Sequence, residues 1–321
     1  MGDLDLGFAF QHVAARSGFM KAEALSARPD ARWVIAGVPW DGATTNRPGA
    51  RFGPSGIRLA SHMLGDGIHP LFGVSPLASI ADAGDLAMPN TSLAAMRAAM
   101  LPQVAKLIAR HHVVWLGGDH SITLPLLQAH RQQAGQPLAV IHFDAHCDTW
   151  PDHFGEPSGH GTWLYEAVRD DIVDPTLVVQ LGIRSPAAID IGNFIADRGG
   201  LSYTARALRG LESAQSLAAI TAAVRARLAS KPEAPLYLTL DIDCLDPAFA
   251  PGTGTPEPGG LSTNQVLTLL EEWGDLPWVG MDLCEVAPAY DHAELTSNAA
   301  ASFAWTYLAA QVARAGKAPR S

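Results

Sequence analysis

VIHFDAHCDTW, residues 140–150, is the stretch on which the fold turns: a β-branched, apolar run closes on Asp144, His146 and Asp148 at alternate positions. In an extended chain, residues two apart project to one side, so these three side chains are expected to converge if the strand geometry continues past Phe143. A strand apolar on both faces belongs inside a sheet covered on both sides, and charged groups at its carboxyl end lie where parallel α/β sheets gather their functional residues.

Five further runs repeat this character: ARWVIAGVP (31–39), HHVVWLGG (111–118), TLVVQLGI (176–183), PLYLTLDID (235–243) and LPWVGMDLCEV (276–286). Between them lie segments of helical character, notably residues 91–111, 213–230, 262–273 and 297–315. Strand and helix in alternation predict an α/β protein with a mainly parallel sheet between helical layers. The Gly/Pro-rich loops 47–56 and 247–260 are too short to serve as domain linkers, so residues 1–321 are read as a single domain, with 1–30 an N-terminal extension and 313–321 a frayed tail.

Composition narrows the function classes. The 32 acidic residues against 22 basic ones give a net charge of −10, which argues against nucleic acid or an anionic membrane as a partner. The three cysteines, Cys147, Cys244 and Cys284, lack disulfide or zinc-ribbon spacing and suit a reducing cytoplasm. Residues 1–20 carry acids where a secretory signal needs bases, and no later stretch reaches the ~18 uninterrupted apolar residues of a membrane span, so a cytoplasmic protein is expected.

Two more strand ends carry the same kind of chemistry. LTLDIDCLDP supplies Asp241 and Asp243, and VVWLGGDHS supplies Asp119 and His120 at a Gly-Gly turn. Any one such Asp reads equally well as a helix cap. Together, buried carboxylates and imidazoles at three strand ends repel or lose hydration unless cations neutralise them. Carboxylates mixed with imidazoles favour Mn²⁺, Fe²⁺, Co²⁺, Ni²⁺ or Zn²⁺ over Ca²⁺ or Mg²⁺.

GGDHS (117–121), DAHCD (144–148) and DIDCLDPAFAPGTGTPEPGG (241–260) resemble the three signatures of the ureohydrolases, the family of arginase and agmatinase, and residues 37–58 and 280–301 resemble the agmatinase branch. The resemblance runs from about Val34 to near the C-terminus. It implies a three-layer α/β sandwich and two divalent ions, manganese first, with nickel, cobalt or zinc as alternatives. On matching positions His120, Asp144, Asp148 and Asp241 would hold one ion, and His146, Asp144, Asp241 and Asp243 the other. Glu285 would receive the substrate guanidinium, Asp148 would orient the attacking hydroxide, and His160, in SGHGTW, would shuttle a proton to the leaving amine, with His153 its rival.

The implied reaction is hydrolysis of a guanidino C–N bond to urea and an amine, agmatine to putrescine first among the candidates. The loop 149–159, TWPDHFGEPSG, lacks the Asn and Ser pattern expected for free arginine, while Asp152 and Glu156 suit a cationic tail. Arg47 and Arg51 suit instead a carboxylate tail, as in 4-guanidinobutyrate or 3-guanidinopropionate, and Trp150, Trp163 and Trp305 suit guanidine itself or a substituted biguanide, with nickel. Formiminoglutamate hydrolysis and a non-catalytic subunit are the competing readings; the latter is expected to lose ligands, and none is lost. His142 reads as a packed supporting strand residue, and His111, His112 and His130 as imidazoles that satisfy carbonyls at element ends. The resemblance also implies a homo-oligomer, trimer or hexamer, with residues 45–61 and the C-terminal segment as contacts, or a mixed assembly with a related chain.

Overall fold

β-Branched and aromatic residues crowd the six expected runs, and all six form strands in the computed structural model, which describes residues 18–65 and 67–317. They are β1 (Trp33–Val38), β3 (His112–Gly117), β4 (Leu138–Phe143), β5 (Val173–Ile183), β7 (Leu236–Asp241) and β8 (Trp278–Cys284). Two more, β2 (Ile80–Asp85) and β6 (Leu201–Thr204), form the edges of one eight-stranded sheet in the order β2-β1-β3-β8-β7-β4-β5-β6. Every ladder is parallel.

Alternate strand residues serve opposite layers. Ile35, Val114, Leu116 and Ile141 join one core with Ile57, Leu217, Val266 and Phe303 from the helices Gly53–Ser61, Ala214–Ala229, Thr263–Glu272 and Leu295–Lys317. Val34, Val113, Trp115 and Val140 join the other with Met100, Leu127 and Trp163 from Leu93–Ile108, Thr123–Ala134 and Trp163–Arg169. The result is the expected three-layer sandwich.

The strand order places the site. Between β3 and β4 the chain jumps across the space later filled by β7 and β8, so the carboxyl ends of these four central strands adjoin at a topological switch point. At Gly118 the turn after β3 passes so close to Trp40 that an added Cβ would lie 1.6 Å from the Trp40 carbonyl oxygen. Only glycine fits that crossing.

Of the expected extension, residues 18–30 are integral: Phe19 and Met20 are buried, and Asp82 of β2 accepts at its carbonyl from Leu25 N–H and donates its own N–H to Glu23 O. Residues 1–17 lie outside the described residues. At the other end the last helix continues through Lys317, so 313–317, expected to fray, are helical, and 318–321 lie outside the described residues. Among the described residues no helix is long and apolar enough to cross a membrane.

Candidate metal centre

The β4 strand stops at Phe143, so the 144–148 convergence does not come from a continuing strand. The chain turns instead: Asp144 Oδ1 accepts from the His146 backbone N–H at 2.6 Å, and Asp148 adopts a left-handed φ of 53°. A non-glycine residue in that region carries backbone strain, and here it serves to swing the Asp148 carboxylate toward His120 rather than His146.

Two groups of donors result, joined by Asp144. His120 Nδ1 lies 3.1, 3.2 and 3.3 Å from oxygens of Asp144, Asp148 and Asp241. His146 Nδ1 lies 3.2 Å from the other Asp144 oxygen and 3.1 Å from Asp243. Asp241 Oδ1 is occupied by the Asp243 N–H at 2.8 Å, while its Oδ2 faces His120. Asp243 is further fixed by Ala145 N at 3.1 Å and Thr255 Oγ1 at 3.1 Å.

The donor set fits divalent cations. Ligands at 2.0–2.2 Å from one ion stand roughly 3.0–3.4 Å apart, as these do. His120 Nδ1 is buried with no hydrogen-bond partner although oxygens of three carboxylates surround it. Burial first, and then the charges of Asp243 and Asp144, push the Asp241 carboxyl well above its usual range. Burial also opposes charge on Asp144, and the rings of His120, His142 and His146 overcome it, holding that carboxyl well below. The chain thus packs more negative charge here than its own side chains neutralise.

His142 supports the cluster, donating from Nε2 to Asp144 Oδ2 at 2.8 Å while Gln180 approaches its Nδ1. Asp119, paired with His120 in the sequence, points away and accepts from Ala43 N at 2.8 Å and Ser121 N at 3.1 Å, tying two loops together. Of the three histidines expected to satisfy carbonyls only His111 does so, on Ala31 O at 2.7 Å; His112 meets the Tyr307 hydroxyl, and His130 packs against the Tyr237 ring with Nε2 unpartnered.

Glu285, φ 65°, is fully buried behind His160. Its Oε1 accepts from His120 N and from His160 Nδ1, each at 2.9 Å, and its Oε2 has no partner. The Thr45 N–H points at His160 Nε2 from 3.2 Å with Thr45 Oγ1 at 2.9 Å, so the neutral ring carries its proton on Nδ1. Burial opposes a second proton, but Glu285, helped by Asp119 and Asp148, raises the His160 pKa to about 9. His153 sits outside His160, ring centroids 6.0 Å apart.

A pocket of about 350 Å³ opens over the cluster, lined by His120, His146, Asp148 and Asp241 at its base and Thr45, His160, Ser185 and Thr255 on its walls. Trp150, Asp152, His153 and Phe154 form the rim. Several expectations end here. Arg51 pairs with Asp41, Arg47 lies over the Tyr290 ring, and neither lines the pocket. Trp305 packs at a tilt against His69, and Trp163 is buried, donating to Asp148 Oδ2 at 2.6 Å. Glu156 pairs its backbone with His153 in the rim turn and does not line the pocket. Thr45, Ser185 and Phe154 carried no signal in sequence, since no spacing ties isolated loop residues to a distant strand end.

Fold and cluster together define a metal-binding protein of the three-layer α/β class. The chain belongs to the arginase family, whose model matches residues 31–309. It is 40% identical over 292 residues to an agmatinase of Cronobacter sakazakii, covering 90% of each chain. Its fold superposes with a TM-score of 0.84 on a hypothetical agmatinase from Burkholderia thailandensis, 38% identical, covering 93% of this chain and 91% of that one. Against proclavaminate amidino hydrolase from Streptomyces clavuligerus the TM-score is 0.83 at 35% identity, covering 95% and 99%.

Proposed function

We propose that the protein is a binuclear-metal amidinohydrolase that cleaves agmatine to putrescine and urea. The observation that carries this reading is the pair of donor groups sharing Asp144, with the free Oε2 of Glu285 close behind. His120, Asp144, Asp148 and Asp241 would hold one ion and His146, Asp144, Asp241 and Asp243 the second. When bound, two divalent ions acidify water toward neutral pH and so supply a nucleophile strong enough for a resonance-stabilised guanidinium. Manganese is the proposed metal, with nickel, cobalt and zinc as the alternatives to compare.

The remaining work falls to the chain's own residues. Glu285, which lies beneath the pocket lining behind His160, would offer its free Oε2 to the guanidinium N–H fork, with Oε1 held for positioning by His120 N and His160. Trp163 fixes the Asp148 carboxylate, leaving its second oxygen to orient the attacking water. An amine anion is a poor leaving group, so the departing nitrogen needs a proton. His160 delivers it from Nε2 across Thr45 Oγ1, which shares the pocket wall.

Substrate choice follows from the lining. Among the described residues no lysine or arginine lines the pocket to meet a carboxylate tail, whereas Asp152 at the rim suits an ammonium. With Trp305 remote and Trp163 buried, only Trp150 of the three tryptophans is placed to meet a bare guanidine or biguanide. Urea and amine release from agmatine, 4-guanidinobutyrate, 3-guanidinopropionate, arginine, guanidine and an alkyl biguanide, with each metal in turn, tests the reading. Agmatine leading the panel supports it; a carboxylate substrate leading, or formamide release from formiminoglutamate, overturns it.

The active unit is further proposed to be a homo-oligomer of single-domain chains working in the cytoplasm. Phe52 and Leu59, 60% and 66% exposed in the segment expected to form contacts, and Met63 just beyond it, 85% exposed, support self-association. One chain supplies every residue named above, so no related partner chain is required. Sedimentation that shows a monomer at micromolar concentration would contradict the assembly.

A further inference from the structure

His120 has neighbours of opposite kind on its two nitrogens. Nδ1 faces oxygens of three carboxylates, while Nε2 lies 2.8 Å from Thr239 Oγ1. Thr239 lies in turn 2.6 Å from Asp282 Oδ1. Asp282 is fully buried, and no lysine or arginine pairs with it among the described residues. Around it stand Thr123 Oγ1, 3.3 Å from Oδ2, Cys284 Sγ, 3.4 Å from Oδ1, and the buried Tyr237 hydroxyl. A carboxylate met by neutral donors and no cation is costly to keep in a core, and nothing in the chemistry proposed above uses it.

Hydrogen-bond direction gives it a use. A threonine hydroxyl has one proton, and a carboxylate only accepts, so the Thr239 proton goes to Asp282 and Oγ1 turns its lone pairs toward His120. Nε2 must then carry the ring proton, which leaves Nδ1 with a lone pair aimed at the cluster. The opposite tautomer would face two acceptors with one hydrogen. We propose that Asp282, acting through Thr239, is a positioning residue that sets the tautomer of His120 and strengthens the ion site built on His120, but not the one built on His146. This rests on the metal-centre reading. His146 has no such backing: its Nε2 lies 3.9 Å from Glu257, which is itself partly exposed.

The test is a titration of the metal-depleted protein with Mn²⁺ against a chromophoric chelator, which resolves two binding constants, together with urea unfolding of the metal-free chain. In Thr239→Val and Asp282→Asn one of the two affinities should fall roughly 10–100-fold while the other stays within about twofold. Thr239→Ser, which keeps the hydroxyl, should restore the weakened site. Metal-free Asp282→Asn should be at least as stable as the parent, since it removes a buried charge, so loss of affinity is separated from loss of fold. If Asp282→Asn does not fold, Thr239→Val, close to isosteric, carries the test. Two unchanged affinities would overturn the relay, as would equal losses at both sites with a weakened metal-free fold. A wild-type chain that binds fewer than two ions would remove the metal reading itself, and the relay with it.

Discussion

Asp144 is the residue on which the account depends most, because its two oxygens face different imidazoles. Asp144→Asn should therefore lose both ions and the urea-forming activity together, as read by metal analysis after gel filtration; two retained ions with full activity would contradict the shared role. His160→Ala should keep both ions and lose about 10²-fold or more in kcat, the usual scale for a general acid, whereas His153→Ala should change kcat little. A reversal of that order in steady-state kinetics moves the proton shuttle outward to His153. The Asp and His set was legible in sequence because alternating charges after an apolar run need a cation. The geometry was not: convergence comes from a turn and a left-handed Asp148, which residue spacing does not encode.

At the level of elements, the six apolar strands and four long helices were readable from periodicity, while β2 and β6 were not. IADAGD and LSYT are short edge strands with polar and small residues, so they lack the buried-run signature. Three core-facing helices also escaped notice: Gly53–Ser61 opens in a Gly/Pro-rich loop, Thr123–Ala134 carries Pro125 in its first turn, and Trp163–Arg169 is short. The β3 turn gives a sharp prediction. Gly118→Ala would drive a Cβ into the Trp40 carbonyl, so unfolding by urea should show a loss of about 3 kcal/mol or more and a weakened His120 site nearby. A neutral result would mean that the Trp40 loop yields freely.

Across the whole molecule, the three-layer sandwich was legible because both faces of most strands are apolar, and that pattern admits few architectures. Assembly and substrate tail were not, since exposed residues such as Met63 and Phe154 follow no period. Acid should weaken the fold far from the site. Burial lowers His112 to about 3, with His130 and two arginines adding to it, and lowers His130 to about 4, against a usual 6.5. Between those values the unfolded chain binds protons that the folded one refuses, so stability is lost as pH falls below about 6.5. The buried His130 alone accounts for about 2 kcal/mol between pH 7 and 5, and His130→Leu should flatten the urea-unfolding profile by that amount. An unchanged profile would exclude it as an acid-labile element.

The most direct test of the central claim is urea release from agmatine as Mn²⁺ is added stepwise to the metal-depleted protein. Activity should climb to a break at two ions per chain, with putrescine formed in equal amount. Full activity at one ion, or activity indifferent to metal, would contradict that claim.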